Sequence, residues 1–214
     1  MSLSAKTHKY ISILKSLCYK KRIINIFTAL ASCLLKRHKL KNLPFLAQIE
    51  PANNCDLKCS LCIVGQKQLK RTKGNMSFVN FKSIIDQIEP AIFYLALYNL
   101  GEPFLNPDIF KMISYAKSKN IFIRLSTHGD FKNSETIKNI IESGLDELLI
   151  SLDCATPSSY LSYKKSDNFR KVINNIELLV SGRKKTKSRI LCCNFCLCMI
   201  QKIKSMILKK WPGG

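Results

Sequence analysis

Acidic residues are missing from the first 43 positions, where ten Lys and Arg stand unopposed. Histidine is scarce: His8, His38 and His128 are the whole supply, and none lies at zinc-finger spacing from the cysteines. Long apolar runs are also lacking. The first, Ile23 to Leu35, is interrupted by Asn25, Thr28 and Ser32 and ends in Lys36-Arg37-His38-Lys39. It is too short to span a bilayer. No small-residue cleavage site follows a short basic start, which argues against a secretory leader.

The charge that is present is uneven. Of the formal +21, residues 44–162 contribute nothing, because bases and acids balance there, while 163–214 are again strongly basic. A nucleic-acid binder would usually carry its basic face on the folded domain. Here the neutral middle holds every strong motif, so nucleic acid is an unfavoured partner. The basic ends suit a solvated surface, a membrane face or an acidic partner equally.

Ten cysteines in 214 residues admit a disulfide framework. Without a sign of export, a reducing cytoplasm is the better reading, and clustered cysteines there more often bind metal.

Three segments are expected: a basic helical extension over 1–43, an α/β domain over 44–199 and a basic tail over 200–214. In the extension, Ile11, Leu14, Leu17 and Cys18 share one helical face, and Ile23, Phe27, Leu30 and Leu34 another. Residues 10–35 could therefore lie on an anionic membrane surface. The favoured expectation is a helix packed across the open end of the domain, with its stripe buried in protein.

From Pro44 strands and helices alternate. Strands are expected at Phe45–Ile49, Ala91–Tyr98, Ile121–Leu125, Leu148–Leu152 and Ile190–Met199. Helices are expected at Val79–Glu89, Pro107–Ser118, Glu135–Glu142 and Phe169–Ser181. Gly144 reads as a helix stop. This order implies right-handed crossovers and a parallel sheet. In such sheets chemistry gathers at the carboxyl ends of the strands. Cys55–Cys62, Gly101-Glu102-Pro103, Thr127-His128-Gly129 and Ser151-Leu152-Asp153 follow the first four strands in turn.

The loop after the first strand reads Cys55-Asp56-Leu57-Lys58-Cys59-Ser60-Leu61-Cys62. An iron–sulfur cube is ordinarily held by four thiolates. Three cysteines at this spacing can wrap three corners and leave one iron open to a chelating small molecule. A zinc site of three cysteines and one histidine is the rival. Three unrelated core cysteines are the remaining alternative, in a setting polar for a core, Asn53-Asn54-Cys55-Asp56.

Cysteines spaced by three and then two residues, directly after a strand, resemble the signature of the radical S-adenosylmethionine (SAM) superfamily. The resemblance runs from about residue 44 to 181. It implies a 4Fe–4S cluster on Cys55, Cys59 and Cys62, with SAM on the open iron. Asn99-Leu100-Gly101-Glu102-Pro103 is similar to the family's glycine–glutamate–proline motif, whose backbone and carboxylate receive the SAM amino group. Leu100 stands where a glycine is usual. Ser126-Thr127-His128-Gly129 resembles a turn that reads Thr-Asn-Gly in relatives; His128, taken as an exposed turn residue, is given no proton-transfer role. Ser151 matches a strand-end serine that contacts SAM. Leu61 sits where relatives often place an aromatic against the adenine. Ala155-Thr156-Pro157-Ser158-Ser159-Tyr160, Asn168-Phe169-Arg170-Lys171-Val172 and Asn175-Ile176 are similar to the subfamily that often carries a C-terminal extension called SPASM. Lys164 stands near the place of an arginine that forks the SAM carboxylate, and keeps the charge without the bidentate geometry.

The resemblance further implies an incomplete (βα)6-type partial barrel of about five parallel strands. It implies reductive cleavage of SAM to a 5′-deoxyadenosyl radical that takes hydrogen from a peptide, protein or small metabolite. A small electron donor such as a flavodoxin or ferredoxin is the expected partner. Near the end, Cys192, Cys193, Cys196 and Cys198 invite a second cluster. In a strand, however, Cys193 faces away from the other three, and buried core cysteines are the favoured reading. The tail beyond is expected to be foreign to the fold, the product of a premature stop or shifted frame, and a non-catalytic remnant of the family is the alternative function.

Overall fold

The computed structural model describes residues 3–40, 42–186 and 191–192. Five strands form a single parallel sheet: β1 (Leu46–Gln48), β2 (Tyr94–Ala96), β3 (Phe122–Thr127), β4 (Glu147–Ile150) and β5 (Leu191–Cys192). Their spatial order is their sequence order. Each crossover therefore steps the same way, and right-handed steps place the helices on one face of the curled sheet. This is the parallel sheet that the strand–helix alternation predicts and the partial barrel that the resemblance implies. The remainder of the expected fifth strand, with Cys193, Cys196 and Cys198, lies outside the described residues.

Register follows burial. Leu95 of β2 pairs with Ile123 of β3, and Leu125 of β3 with Leu148 of β4, and all four are fully buried. Three helices follow the first three strands: α3 (Phe78–Ile88), α4 (Ile109–Ser118) and α5 (Ser134–Glu142). They lay Phe81, Ile85, Met112, Ile113 and Ile140 into the same core. Each such side chain contributes about 1.5–3 kcal/mol by leaving water. Asp146 joins two layers: one oxygen accepts from the Ile123 amide at 2.9 Å and from Lys117 Nζ of α4 at 2.6 Å.

Several boundaries differ from the sequence expectation. β2 is three residues rather than eight, since only Tyr94–Ala96 pairs with both neighbours. α4 starts after Pro107-Asp108: Asn106 Oδ1 accepts from the Asp108 amide, and its Nδ2 donates to Pro51 and Met76, which fixes this stretch as a turn. An unanticipated helix, α6 (Pro157–Lys164), opens with a capping box of Thr156 and Ser159. The last helix, α7 (Phe169–Thr186), runs past Ser181.

The N-terminal pair, α1 (Leu3–Leu17) and α2 (Lys20–Leu34), is attached chiefly by Arg22, with Asn120 also donating to the Tyr19 hydroxyl. Arg22, only 1% exposed, donates to the carbonyls of Ser16 (2.6 Å), Asn120 (2.8 Å), Lys119 (2.8 Å) and Glu89 (3.3 Å). Glu89 and Lys119 cap the carboxyl ends of α3 and α4, where a cation also meets the negative end of the helix dipole. This corrects the expectation for these helices. They sit at the amino ends of the strands, and Ile23, Phe27, Leu30 and Leu34 are exposed rather than buried in protein.

Candidate active site at the carboxyl edge of the sheet

Cys55, Cys59 and Cys62 occupy the loop that leaves β1, and all three are free and half-buried. The loop is pinned on both flanks. On one, Ser60 N donates to the Tyr163 carbonyl of α6 at 2.9 Å, and its hydroxyl reaches Ser162 and Tyr163. On the other, the Glu102 amide donates to the Asn54 carbonyl at 2.8 Å. A turn closed by Cys62 N and the Cys59 carbonyl (3.2 Å) sets the second and third thiols. Gly65 lies against it so closely that a Cβ would stand 2.6 Å from Cys59 N and 2.8 Å from Cys59 O.

Gly101 has the same character. A Cβ there would meet the Ala52 carbonyl oxygen at 2.2 Å and that of Asn54 at 2.8 Å. The close approach it permits is to the chain's own backbone just before Cys55. The carboxylate of Glu102, 4% exposed, is engaged internally. One oxygen accepts from Thr127 Oγ1 (2.8 Å) and the Phe104 amide (3.2 Å); the other accepts from the His128 amide (3.0 Å). Burial raises its pKa above the ordinary carboxylate value, against the pull of His128 and these hydrogen bonds.

His128 is buried, not the exposed turn residue the sequence suggests. Its Nδ1 accepts from the Asp130 amide at 3.0 Å, so Nε2 carries the ring proton and donates to Asp56 Oδ1 at 2.9 Å. Glu102 Oε2 lies 3.3 Å from the same nitrogen. Burial opposes a charge on the ring, but Asp56, Glu102 and Asp130 outweigh it and hold its pKa above the ordinary value. The hydrogen bond from His128 in turn lowers that of Asp56. Ligand atoms of Cys55, Asp56 and His128 lie within 4.8 Å of one another. This proximity is invisible in the spacing of the motif. The imidazole, however, already has a partner on each nitrogen.

The turn carrying His128 is braced from behind. Gly129 has φ +81°, a conformation that favours glycine, and a Cβ there would sit 2.9 Å from Ile150 Cγ2. Asn175 of α7 donates to the Gly129 carbonyl at 2.9 Å, and Asn168 donates to Asp130 at 2.7 Å. The polar positions of the Asn168–Ile176 stretch thus serve the β3 turn.

The remaining expected residues spread along the same edge. Ser151 N donates to the Thr127 carbonyl at 2.9 Å, and its hydroxyl is 3.5 Å from that of Ser126. Lys164, buried at the end of α6, donates to Asp153 at 2.6 Å. Its positive charge partly offsets the burial that raises the Cys59 thiol. Burial pushes the Cys55 thiol up to about 12. Leu61 is 84% exposed on the rim. A cavity of about 400 Å³ opens on the His128 side, between Asp56–Lys58, Asp130, Lys132 and the 165–171 connection; Gly101, Ser151 and Lys164 do not line it.

Three free thiols on one pinned loop fit an iron–sulfur cluster with a ligand-free corner. Burial raises the Cys55 and Cys59 thiols, and a bound cation would favour their thiolate form. Among the described residues the other cysteines are elsewhere: Cys154 in the core, Cys18 and Cys33 in the N-terminal segment. Sequence reasoning missed Asp56, Gly65 and the burial of His128. Only Gly65 left a signal, a glycine shortly after the third cysteine.

The family model described as Radical SAM superfamily matches residues 49–199. Mycofactocin maturase MftC of Mycobacterium ulcerans is 28% identical over 129 residues, covering 60% of this chain and 34% of the relative. The chain thus spans about a third of that relative's length. Among solved structures, native anSMEcpe with bound AdoMet is similar at a TM-score of 0.57 and 20% identity, over 78% of this chain and 49% of that one. Streptococcus suis SuiB bound to precursor peptide SuiA is similar at 0.53 and 17%, over 73% and 40%. These likenesses concern the fold.

Proposed function

This chain belongs to the radical SAM superfamily, and from that premise we propose that its carboxyl edge holds a 4Fe–4S cluster and SAM for hydrogen abstraction from a substrate. Cys55, Cys59 and Cys62 would hold the cluster, with one iron left free of protein thiolate for SAM. Bound there, a reduced cluster would supply the one-electron chemistry for reductive cleavage of SAM.

The chain's own residues bind and orient. Gly101 lets the strand-two turn close against the cysteine loop and offers backbone acceptors for the SAM ammonium. Glu102 adds negative charge beneath that site while its oxygens tie Thr127 and His128 in place. His128 is a positioning residue: it bridges Glu102 to Asp56, the neighbour of the first ligand. Lys164 faces the SAM carboxylate from the Cys59 side, and Ser151 stands on the same strand edge. Leu61 covers the adenine by apolar packing without stacking. The observation that carries this reading is the set of three free thiols on a loop pinned both to α6 and to the Gly101-Glu102 turn.

The substrate is a peptide, a protein or a small metabolite, and a peptide is favoured by the maturase likeness of MftC and by the peptide in the SuiB structure. A small flavodoxin- or ferredoxin-like protein delivers the electron. Anaerobic reconstitution followed by reduction with dithionite in the presence of SAM tests the proposal. Formation of 5′-deoxyadenosine is the expected result. A loaded cluster that yields none overturns the activity while leaving the ligand assignment intact.

A further inference from the structure

We propose that α1 and α2 form a docking face for an anionic lipid surface, on the side of the molecule opposite the cysteine loop. The stripe of α2 is Ile23, Phe27, Leu30 and Leu34, spaced by four, three and four residues, so one helical face carries them all. In the folded chain that face is bare: Phe27 is 66% exposed and Leu34 83%. Tyr10, Ile11 and Leu14 of α1 are exposed as well.

The exposure does not come from a loose helix. Arg22 locks α2 to the carboxyl ends of α3 and α4 through the carbonyls of Glu89, Lys119 and Asn120, and Ser32 on the docked side is buried too. Arg22 lies roughly 100° around the helix from Ile23, so locking one side holds the apolar stripe toward solvent. A fixed helix with an apolar face left in water calls for an occupant.

Charge selects which one. The stripe is flanked by exposed Lys20 and Lys21 at one end and exposed Lys36, Arg37 and Lys39 at the other. The first 43 residues hold no acid to neutralise them. A second copy would set two such basic segments face to face, in a chain whose formal charge is already +21. An anionic lipid surface supplies both complements at once, headgroups for the bases and an acyl boundary for Phe27 and Leu34. No helix of the described residues is long and apolar enough to cross a membrane, so the contact is one of lying on the surface.

The topology gives this docking a direction. α2 is held at the amino ends of β2 and β3, whereas the cysteines follow the carboxyl end of β1. Docked this way, the chain turns its cluster loop to the aqueous side, open to substrate and electron donor.

Flotation of the full chain with phosphatidylcholine vesicles, with and without phosphatidylglycerol, tests the inference. The expected result is at least tenfold more binding to the anionic vesicles, weakened by added salt. The double substitution Phe27→Glu and Leu34→Glu, at exposed positions, lowers it at least tenfold with the circular dichroism unchanged. A charge reversal, Lys20→Glu with Lys21→Glu and Arg37→Glu, lowers it with the stripe intact. Equal binding to both vesicle types, no binding, or wild-type binding by both variants overturns the proposal. So does a lipid-free dimer, seen by sedimentation, that Phe27→Glu and Leu34→Glu dissociate, since the face would then belong to a second copy.

Discussion

His128 and Asp56, 72 positions apart in the chain, meet at 2.9 Å beside the first cysteine of the loop. The imidazole is oriented by the Asp130 amide on Nδ1 and by buried Glu102 at its other nitrogen. It therefore ties the turns after β2 and β3 to the loop after β1.

Replacing His128 by Leu leaves Asp56 and the Asp130 amide without this partner. The expected loss is about 1–3 kcal/mol, the usual penalty for stranding buried hydrogen-bonding groups, read by urea denaturation of the metal-free chain. A reconstituted His128→Leu protein is also expected to show an altered paramagnetic resonance spectrum of the reduced cluster. His128→Asn, which keeps a side-chain amide to donate to a carboxylate, is expected to restore part of both. Wild-type stability and spectrum in His128→Leu would remove the imidazole from the account.

The glycines of the site separate by what surrounds them. Gly101→Ala and Gly65→Ala would drive a Cβ to 2.2 Å and 2.6 Å from backbone atoms, which must move apart. Each is expected to cost about 1–3 kcal/mol by overpacking and to lower iron loading. Gly74→Ala meets nothing within 4 Å and is expected to leave both unchanged. Urea denaturation and iron assay of the three variants check the ranking.

Much of the framework was legible in the sequence because its signals are local. Apolar runs such as Ile121–Leu125 mark buried strands, and the cysteine spacing lies within eight residues. Helix α6 was not legible, since Pro157–Lys164 carries no apolar stripe and stands on its cap, Thr156 with Ser159. The His128–Asp56 pairing and the fit of Gly101 against Ala52 arise only when distant turns converge. The pattern of α2 announced an apolar face correctly, but the expectation that protein covers it fails, because Arg22 on another side of the helix holds it to the domain.

Cysteine reactivity in the metal-free protein follows burial. Cys55, with its thiol pushed up to about 12, is almost wholly protonated at pH 8 and is expected to alkylate slowly. Exposed Cys18 is expected to react first. Because the thiolate is the nucleophile, labelling of Cys55 keeps rising as the pH climbs toward that value. Mass spectrometry of iodoacetamide-treated protein over a pH series measures it; equal rates at both positions at pH 8 would contradict the burial of Cys55.

Lys164 is tested by separating cluster from SAM. Its ammonium contacts Asp153 at 2.6 Å and leaves the cysteines free to load. Lys164→Gln is expected to retain iron while weakening SAM binding at least tenfold, and Lys164→Arg to restore binding through its fork. Equilibrium dialysis with SAM on the reconstituted proteins gives the comparison, and undiminished affinity in Lys164→Gln would displace this residue from the pocket.

Arg22 anchors the N-terminal pair to the domain at three carbonyls and joins α2 to α1 at a fourth, that of Ser16. Arg22→Met is expected to lower stability by about 2–4 kcal/mol, the range for losing charged hydrogen bonds from a buried site. It is also expected to open the segment around residues 35–42 to trypsin. Limited proteolysis that cuts wild type and variant equally would show the helices held by something else.

The central claim is that Cys55, Cys59 and Cys62 together carry one cluster. Iron and acid-labile sulfide, assayed after anaerobic reconstitution of wild type and Cys59→Ala side by side, address it most directly. The account predicts about four of each per wild-type chain, as a 4Fe–4S cluster requires, and little of either in Cys59→Ala. Zinc in place of iron, or a full iron complement surviving in Cys59→Ala, would contradict it.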